Sequence, residues 1–250
     1  MTIEATQKKE RPAGHRRPSR TRGVARYEAL LEATEALLLT HSPDEIGLYQ
    51  IAAQAAAPPA SVYHFFPTKE AAYQALAERY LKGLLEMHAE PIEARAVTTW
   101  QAFLAYDMRR GVDYYNARPA MLKIIYGGYG GVGARNIDEV TTDLMSRSSG
   151  RRTRKLFNMP RDPNGAVRSQ IVLAIIDACW TASVRLHGTI TEDYFQESVR
   201  AVIAYQRLFL PEYVEPTEFL RQAIERGESF SLPYEDRPAE FQASRAEGAS

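Results

Sequence analysis

The chain has 250 residues, 45% of them apolar and 25% charged, with no formal net charge, the proportions of an ordinary globular protein of one or two domains. Neutrality excludes any argument for a polyanionic partner from overall basicity, so only the placement of charge along the chain can carry one. The single cysteine, Cys179, excludes an internal disulfide, and no apolar signal core or uninterrupted run near the roughly 18–20 residues of a membrane span stands out, so a cytoplasmic chain outside the membrane is expected.

Residues 1–21 read as a disordered basic arm. Lys8, Lys9, Arg11, Arg16, Arg17 and Arg20 face only Glu10 between positions 8 and 20, without apolar periodicity. From residue 22 the pattern changes. Leu30, Leu31, Thr34, Leu37 and Leu38 recur at helical spacing, which predicts a helix over 22–40, broken by His41-Ser42-Pro43-Asp44. A short helix over 47–54 turns Leu48, Ile51, Ala52 and Ala55 inward. Ala56-Ala57-Pro58 makes a turn, and a second short helix runs over 59–65, where prolines are harmless at the start. Thr68 caps the next helix, which continues to His88.

Three helices within so short a stretch, the latter two joined by a tight turn, have the layout of a helix-turn-helix. Such a second short helix enters a major groove about 12 Å wide. Val62, Phe65 and Phe66 are its inward anchors. Pro59, Ala60, Ser61, Tyr63 and His64 fall on the outward side, with Tyr49 and Gln50 as polar contributors from the preceding helix. The Ser61 and Tyr63 hydroxyls suit phosphate, His64 suits phosphate or a base edge, and Lys69 adds a charge at a helix start. Acids outnumber bases over 22–90, so the basic arm is the natural source of positive charge for such a partner.

The elements Ile51-Ala52, Ala55-Ala56, Ser61-Val62-Tyr63-His64-Phe65-Phe66 and Lys69-Glu70 resemble the N-terminal domain of TetR/AcrR-family transcriptional regulators over residues 22–70. The turn glycine usual in that family is Ala56 here, at a cost of roughly 1–2 kcal/mol if the position is left-handed. Pro58, Pro59 and Gly47 also replace residues that are more often polar. The resemblance implies a homodimer that binds a double-stranded DNA operator and is released by a small ligand in a C-terminal domain.

Beyond Pro91 helices are expected at 98–116, 119–126, 136–157, 165–187, 191–209 and 216–226, giving an all-α fold. The domains are then 22–70, a helix-turn-helix head; 71–226, a helical body for effector binding and dimerisation; and 227–250, a loosely held tail. A small-and-branched stripe at Ile171, Ala174, Ile175 and Ala178, with Val199, Val202, Ile203 and Gln206, predicts a four-helix dimer interface. Trp100, Phe103, Tyr106, Met121, Ile125, Tyr126, Met145, Ile176 and Trp180 are the expected lining for a small apolar or amphipathic effector.

The glycine-rich run 127–133 lacks the lysine and strand context of a phosphate loop and reads as a connector. Arg147, Arg151, Arg152, Arg154, Lys155 and Arg161 form a basic segment that reads as a solvated helix end or a site for an anionic group. His15, His41, His64, His88 and His187 are too scattered for a metal set, and Asp107 and Asp113 alone make a weak acid–base pair. No metal, cofactor or catalytic group is expected. An all-α enzyme acting on a small apolar substrate and a DNA-binding regulator without effector stand as the alternatives.

Overall fold

The first helix, α1 (Thr21–Thr40), buries Tyr27, Leu30, Leu31, Thr34, Leu37 and Leu38 along one stripe, the spacing that keeps side chains on one face of a helix. The computed structural model describes residues 14–18, 20–126, 145 and 148–233. After the break at Pro43 come α2 (Leu48–Gln54), α3 (Pro59–Phe65) and α4 (Lys69–His88). Thr68 caps α4, its hydroxyl accepting from the Ala71 N–H at 3.2 Å. The α2–α3 turn places Ala56 at φ 48, so the left-handed position is occupied by alanine.

The body continues with α5 (Trp100–Asn116) and α6 (Pro119–Ile125). A helical segment at 148–156, here α7, follows. Then come α8 (Gly165–His187), α9 (Glu192–Gln206) and α10 (Glu218–Arg226). The all-α architecture is as expected, and the ends of the other described helices fall within a few residues of the predicted ones, while the start of the helix expected over 136–157 lies outside the described residues. The glycine-rich run 127–133 and Arg147 lie outside the described residues.

Two cores hold the described residues together. One is continuous from α1 through α4 to α5, α6, α8 and α9, and includes Leu38, Phe66, Leu76, Leu84, Met121 and Trp180. The head is therefore welded to the body along α4. Gly83 permits a close crossing there: a Cβ would lie 2.3 Å from the Tyr114 hydroxyl, which donates to the Tyr80 carbonyl at 2.8 Å. The second core gathers Ile92, Val97, Trp100, Phe103, Leu156, Phe157, Leu220 and Leu232.

That second core corrects the expectation of a loose tail from 227. Ile92–Glu93 (β1) pairs antiparallel with Ser229–Phe230 (β2), and Leu232 is buried. Apolar residues at 230 and 232 seat the segment by alternation, a pattern too short to read as a strand in sequence.

The expectation about membrane spans also needs correction. α8 is long and apolar enough to cross a membrane by length and composition alone. Polar residues such as Gln170, Asp177 and Thr181 interrupt the run, which is why it did not stand out. α8 packs antiparallel against α9, with Arg168 stacked 3.5 Å over the Phe209 ring at one end and His187 5.8 Å from Tyr194 at the other. Its remaining face holds exposed Val167, Ile171, Ala174 and Ala178.

A buried polar cluster joins α4, α5 and α7. Asp107 accepts from Arg152 at 2.6 and 2.7 Å and lies 3.1 Å from His88 Nδ1. Burial alone would raise the Asp107 pKa, but His88 and Arg152 outweigh it and hold the carboxyl well below the usual carboxylate range. Arg152, expected on a solvated helix end, is thus buried, while Arg151, Arg154, Lys155 and Arg161 stay exposed.

Candidate functional site

α3 divides its side chains as its spacing requires. Val62, Phe65 and Phe66 are buried, and Tyr27 of α1 meets both phenylalanine rings, at 5.6 and 5.3 Å between centroids. Burial of each such aromatic is worth roughly 1.5–3 kcal/mol, enough to fix the orientation of a seven-residue helix that would not form alone. The opposite face is open. Pro59, Ala60 and His64 are exposed, Ser61 is half-buried, and Tyr63 is 46% exposed.

Tyr49 of α2, 68% exposed, stands edge-on to Tyr63 at 6.0 Å. Partial desolvation, then the neighbouring Tyr49 phenol, raises the Tyr63 pKa, so its hydroxyl stays protonated. The two rings form an exposed aromatic pair carrying two hydroxyls. His64 packs edge-on against Phe65 at 5.0 Å with its ring still open to solvent.

Two residues expected on this face have other attachments. The Gln50 Oε1 accepts from the Gly47 N–H at 2.5 Å and so closes the start of α2, leaving its amide NH2 for an outside partner. The Lys69 ammonium donates to the carbonyls of Pro43 and Asp44 at 3.3 and 3.2 Å. Beside it the Tyr73 hydroxyl donates to Pro43 at 2.7 Å. Lys69 therefore ties the α1–α2 loop to α4 in this structure.

Sequence reasoning missed Arg26, whose Nη1 donates to Ser61 Oγ at 3.2 Å and brings a cation from α1 to the edge of α3. It also missed the seating of residues 14–18. The Arg16 N–H donates to the Phe65 carbonyl at 2.9 Å, and Arg17 and His15 both reach Glu78. The expected disordered arm is anchored over that part. The apolar pattern of α1, α3 and α4 is visible in sequence, but an ion pair between positions 17 and 78 is not.

In the body, the residues expected to line an effector site divide between the two cores. Tyr126 and Trp180 meet Tyr115 edge-on at 5.5 and 5.7 Å, and Met121, Ile125, Met145 and Ile176 belong to or pack against that core. Trp180 also donates to Ser198 Oγ at 3.2 Å. Trp100, Phe103 and Tyr106 lie with the second core instead, with Trp100 Nε1 bonded to the Pro211 carbonyl at 3.2 Å. Leu104 touches both cores.

The expected dimer residues divide too. Ile171, Ala174 and Ala178 are exposed and Ile175 half-buried, whereas Val199 and Val202 are buried within the chain. Ile203 and Gln206 are half-buried, Ile203 against the core. Periodicity identifies an apolar face on α9 but not what covers it, and here α5 and α8 do. The exposed face of α9 holds Arg200, Ala201 and Ala204.

Asp107 is fully engaged by its cationic neighbours, and Asp113 is exposed and distant in character from any buried site. Burial raises the Cys179 thiol pKa, which disfavours the reactive thiolate. No group of three or more metal-ligating residues occurs among the described residues.

Residues 30–76 match the family described as bacterial regulatory proteins, tetR family. No curated protein sequence matches the chain. Among solved structures, the chain is similar to a TetR-family transcriptional regulator from Streptomyces coelicolor, at 19% identity and a TM-score of 0.54, over 75% of this chain and 98% of that one. A TetR transcriptional regulator from Rhodococcus sp. RHA1 gives 14% identity and 0.53, over 72% and 95%. SmeT, the repressor of the Stenotrophomonas maltophilia multidrug efflux pump SmeDEF, gives 15% and 0.53, over 74% and 91%. The domain match at 30–76 falls on the helices that carry the exposed Tyr63 face and makes that stretch similar to the N-terminal domain of the tetR family, while the solved structures share the fold along most of the chain.

Proposed function

We propose that the protein is a homodimeric transcriptional repressor that binds a palindromic DNA operator through α3 and is released by a hydrophobic or aromatic effector held in the body. The observation that carries the reading is the division of α3, with Tyr63 and His64 open to solvent and Val62, Phe65 and Phe66 locked behind them. Tyr49, Pro59, Ala60, Ser61, Tyr63 and His64 meet the duplex, Gln50 through its amide NH2. Lys69 acts chiefly by fixing the head and the start of α4.

Dimerisation uses the exposed apolar face of α8 with Ala201 and Ala204 of α9. Small side chains let helices from two copies approach closely, and pairing removes an apolar helix face from water. It also supplies two reading helices for grooves about 34 Å apart.

The effector region centres on Tyr115, Tyr126 and Trp180. From there α6 offers a direct route to the head. Lys123 Nζ donates to the Leu38 carbonyl at 2.5 Å, at the end of α1, where a cation also complements the helix dipole. An effector that shifts α6 therefore moves α1, while Tyr114 on Tyr80 transmits movement of α5 to α4. Release requires the effector to favour one arrangement of these contacts over another, by differential affinity.

Selection of bound duplexes from a random pool, repeated with apolar metabolites, tests the reading. Expected are an enriched palindrome and its loss on effector addition. Tyr63→Ala with His64→Ala should weaken binding to the enriched duplex at least about tenfold, without change in oligomeric state or melting. Failure to enrich any duplex, or wild-type affinity in the double variant, would reject DNA reading by α3.

A further inference from the structure

Residues 14–18 turn back across the head instead of leading away from it. The Arg16 N–H bonds the carbonyl of Phe65, the last residue of α3, where a helix leaves carbonyls without intrahelical donors. His15 Nε2 lies 3.2 Å from Glu78 Oε2, and Arg17 Nη2 donates to the same oxygen at 2.6 Å. The His15 side chain is only 6% exposed, its ring 6.0 Å from Tyr27. Pro18 crosses the start of α1 at Gly23, where a Cβ would come within 2.9 Å of the Pro18 Cβ. The segment is a packed element touching α1, α3 and α4.

Its charge has a direction. Arg16, Arg20, Arg22 and Arg26 are exposed at this end of the head, and Arg26 already reaches Ser61 on α3. Of the nearby cations, Lys69 is engaged with loop carbonyls and Arg79 with Glu35 and Glu28, while Lys82 is exposed farther along α4. Glu28, Glu32, Asp44, Glu45 and Glu70 are exposed, so the positive charge a duplex needs is gathered where the strap lies.

We infer that residues 14–18 are a second DNA-contacting element, a basic strap latched by Glu78 that sets Arg16 against phosphates flanking the groove occupied by α3. The inference rests on the reading of α3 as the groove helix and extends the interface beyond it. Glu78 works at one remove: it is a positioning residue, and its own charge opposes the partner.

This gives a test whose sign separates the latch from plain electrostatics. Removing a carboxylate near a polyanion should ordinarily strengthen binding. With the strap latched by Glu78, Glu78→Gln instead weakens binding to the duplex enriched by the wild-type protein, by about threefold or more. It also makes log K less steep against log salt by about one ion. Arg16→Ala should reproduce the loss of slope with the latch intact, and it carries the test if Glu78→Gln fails to fold. His15→Ala added to Glu78→Gln should cost little more, because both act through one contact. Wild-type or tighter binding by a folded Glu78→Gln protein, or an unchanged salt slope in Arg16→Ala, would overturn the strap. Absence of any duplex binding by the wild type would instead overturn the DNA reading from which it starts.

Discussion

Ala56 sits at φ 48 between α2 and α3, where a Cβ crowds the backbone and alanine is disfavoured by roughly 1–2 kcal/mol. Glycine would relieve that strain while adding freedom to the unfolded chain. Ala56→Gly should therefore stabilise the head by about 1 kcal/mol, read as a higher denaturant midpoint at unchanged slope. A lower midpoint would show that alanine is comfortable there. The departure from glycine was visible in sequence, but the sign of its backbone angle was not. The inward roles of Val62, Phe65 and Phe66 and the cap at Thr68 were legible because they follow from spacing and local chemistry. The partners of Lys69, Lys123 and Glu78 were not. A long charged side chain finds a carbonyl or counter-ion brought near by the fold, and no local pattern names it.

At the level of elements, the Asp107 cluster makes the junction of α4, α5 and α7 depend on pH. His88 and Arg152 depress the folded pKa of Asp107 below its unfolded value of about 3.9. The linked stability is present above that value and is lost as pH falls below it towards the folded pKa. Denaturation midpoints should therefore fall as the pH is lowered from about 4 to about 2, with a smaller drop in Asp107→Asn. That variant should also cost about 1–3 kcal/mol at neutral pH, because it removes the carboxylate that accepts two hydrogen bonds from the buried Arg152 guanidinium. An equal acid response in wild type and variant would assign the sensitivity to other carboxylates. The helices in this junction were readable from periodicity and proline breaks. The junction itself was not, since His88, Asp107 and Arg152 lie far apart in sequence and Arg152 stood among basic neighbours of solvated type.

For the whole molecule, the α8 face makes the most exposed prediction. Ala178→Arg places a charged, bulky side chain where two copies are proposed to meet. It should shift sedimentation from dimer to monomer and weaken binding to the enriched duplex by at least about tenfold, through loss of paired half-sites, with little change in monomer folding. A stable dimer in that variant would move the interface elsewhere. Part of this face was legible in sequence as small and branched residues, but whether a stripe meets the chain's own core or another copy is decided in three dimensions. Val199 and Val202 went inward, and Ile171, Ala174 and Ala178 did not.

The pairing of Ile92–Glu93 with Ser229–Phe230 also sets an order for events on the ribosome. The inward residues of the head lie between Tyr27 and Leu85. The body's second core waits for Leu232, roughly 7–30 s later at ordinary translation speeds. The helices proposed to read a groove, α2 and α3, are thus synthesised before α8, the proposed pairing face. If α3 reads DNA and α8 pairs two copies as proposed, a chain still short of α8 would have no second head, and paired half-site binding would be reserved for finished molecules.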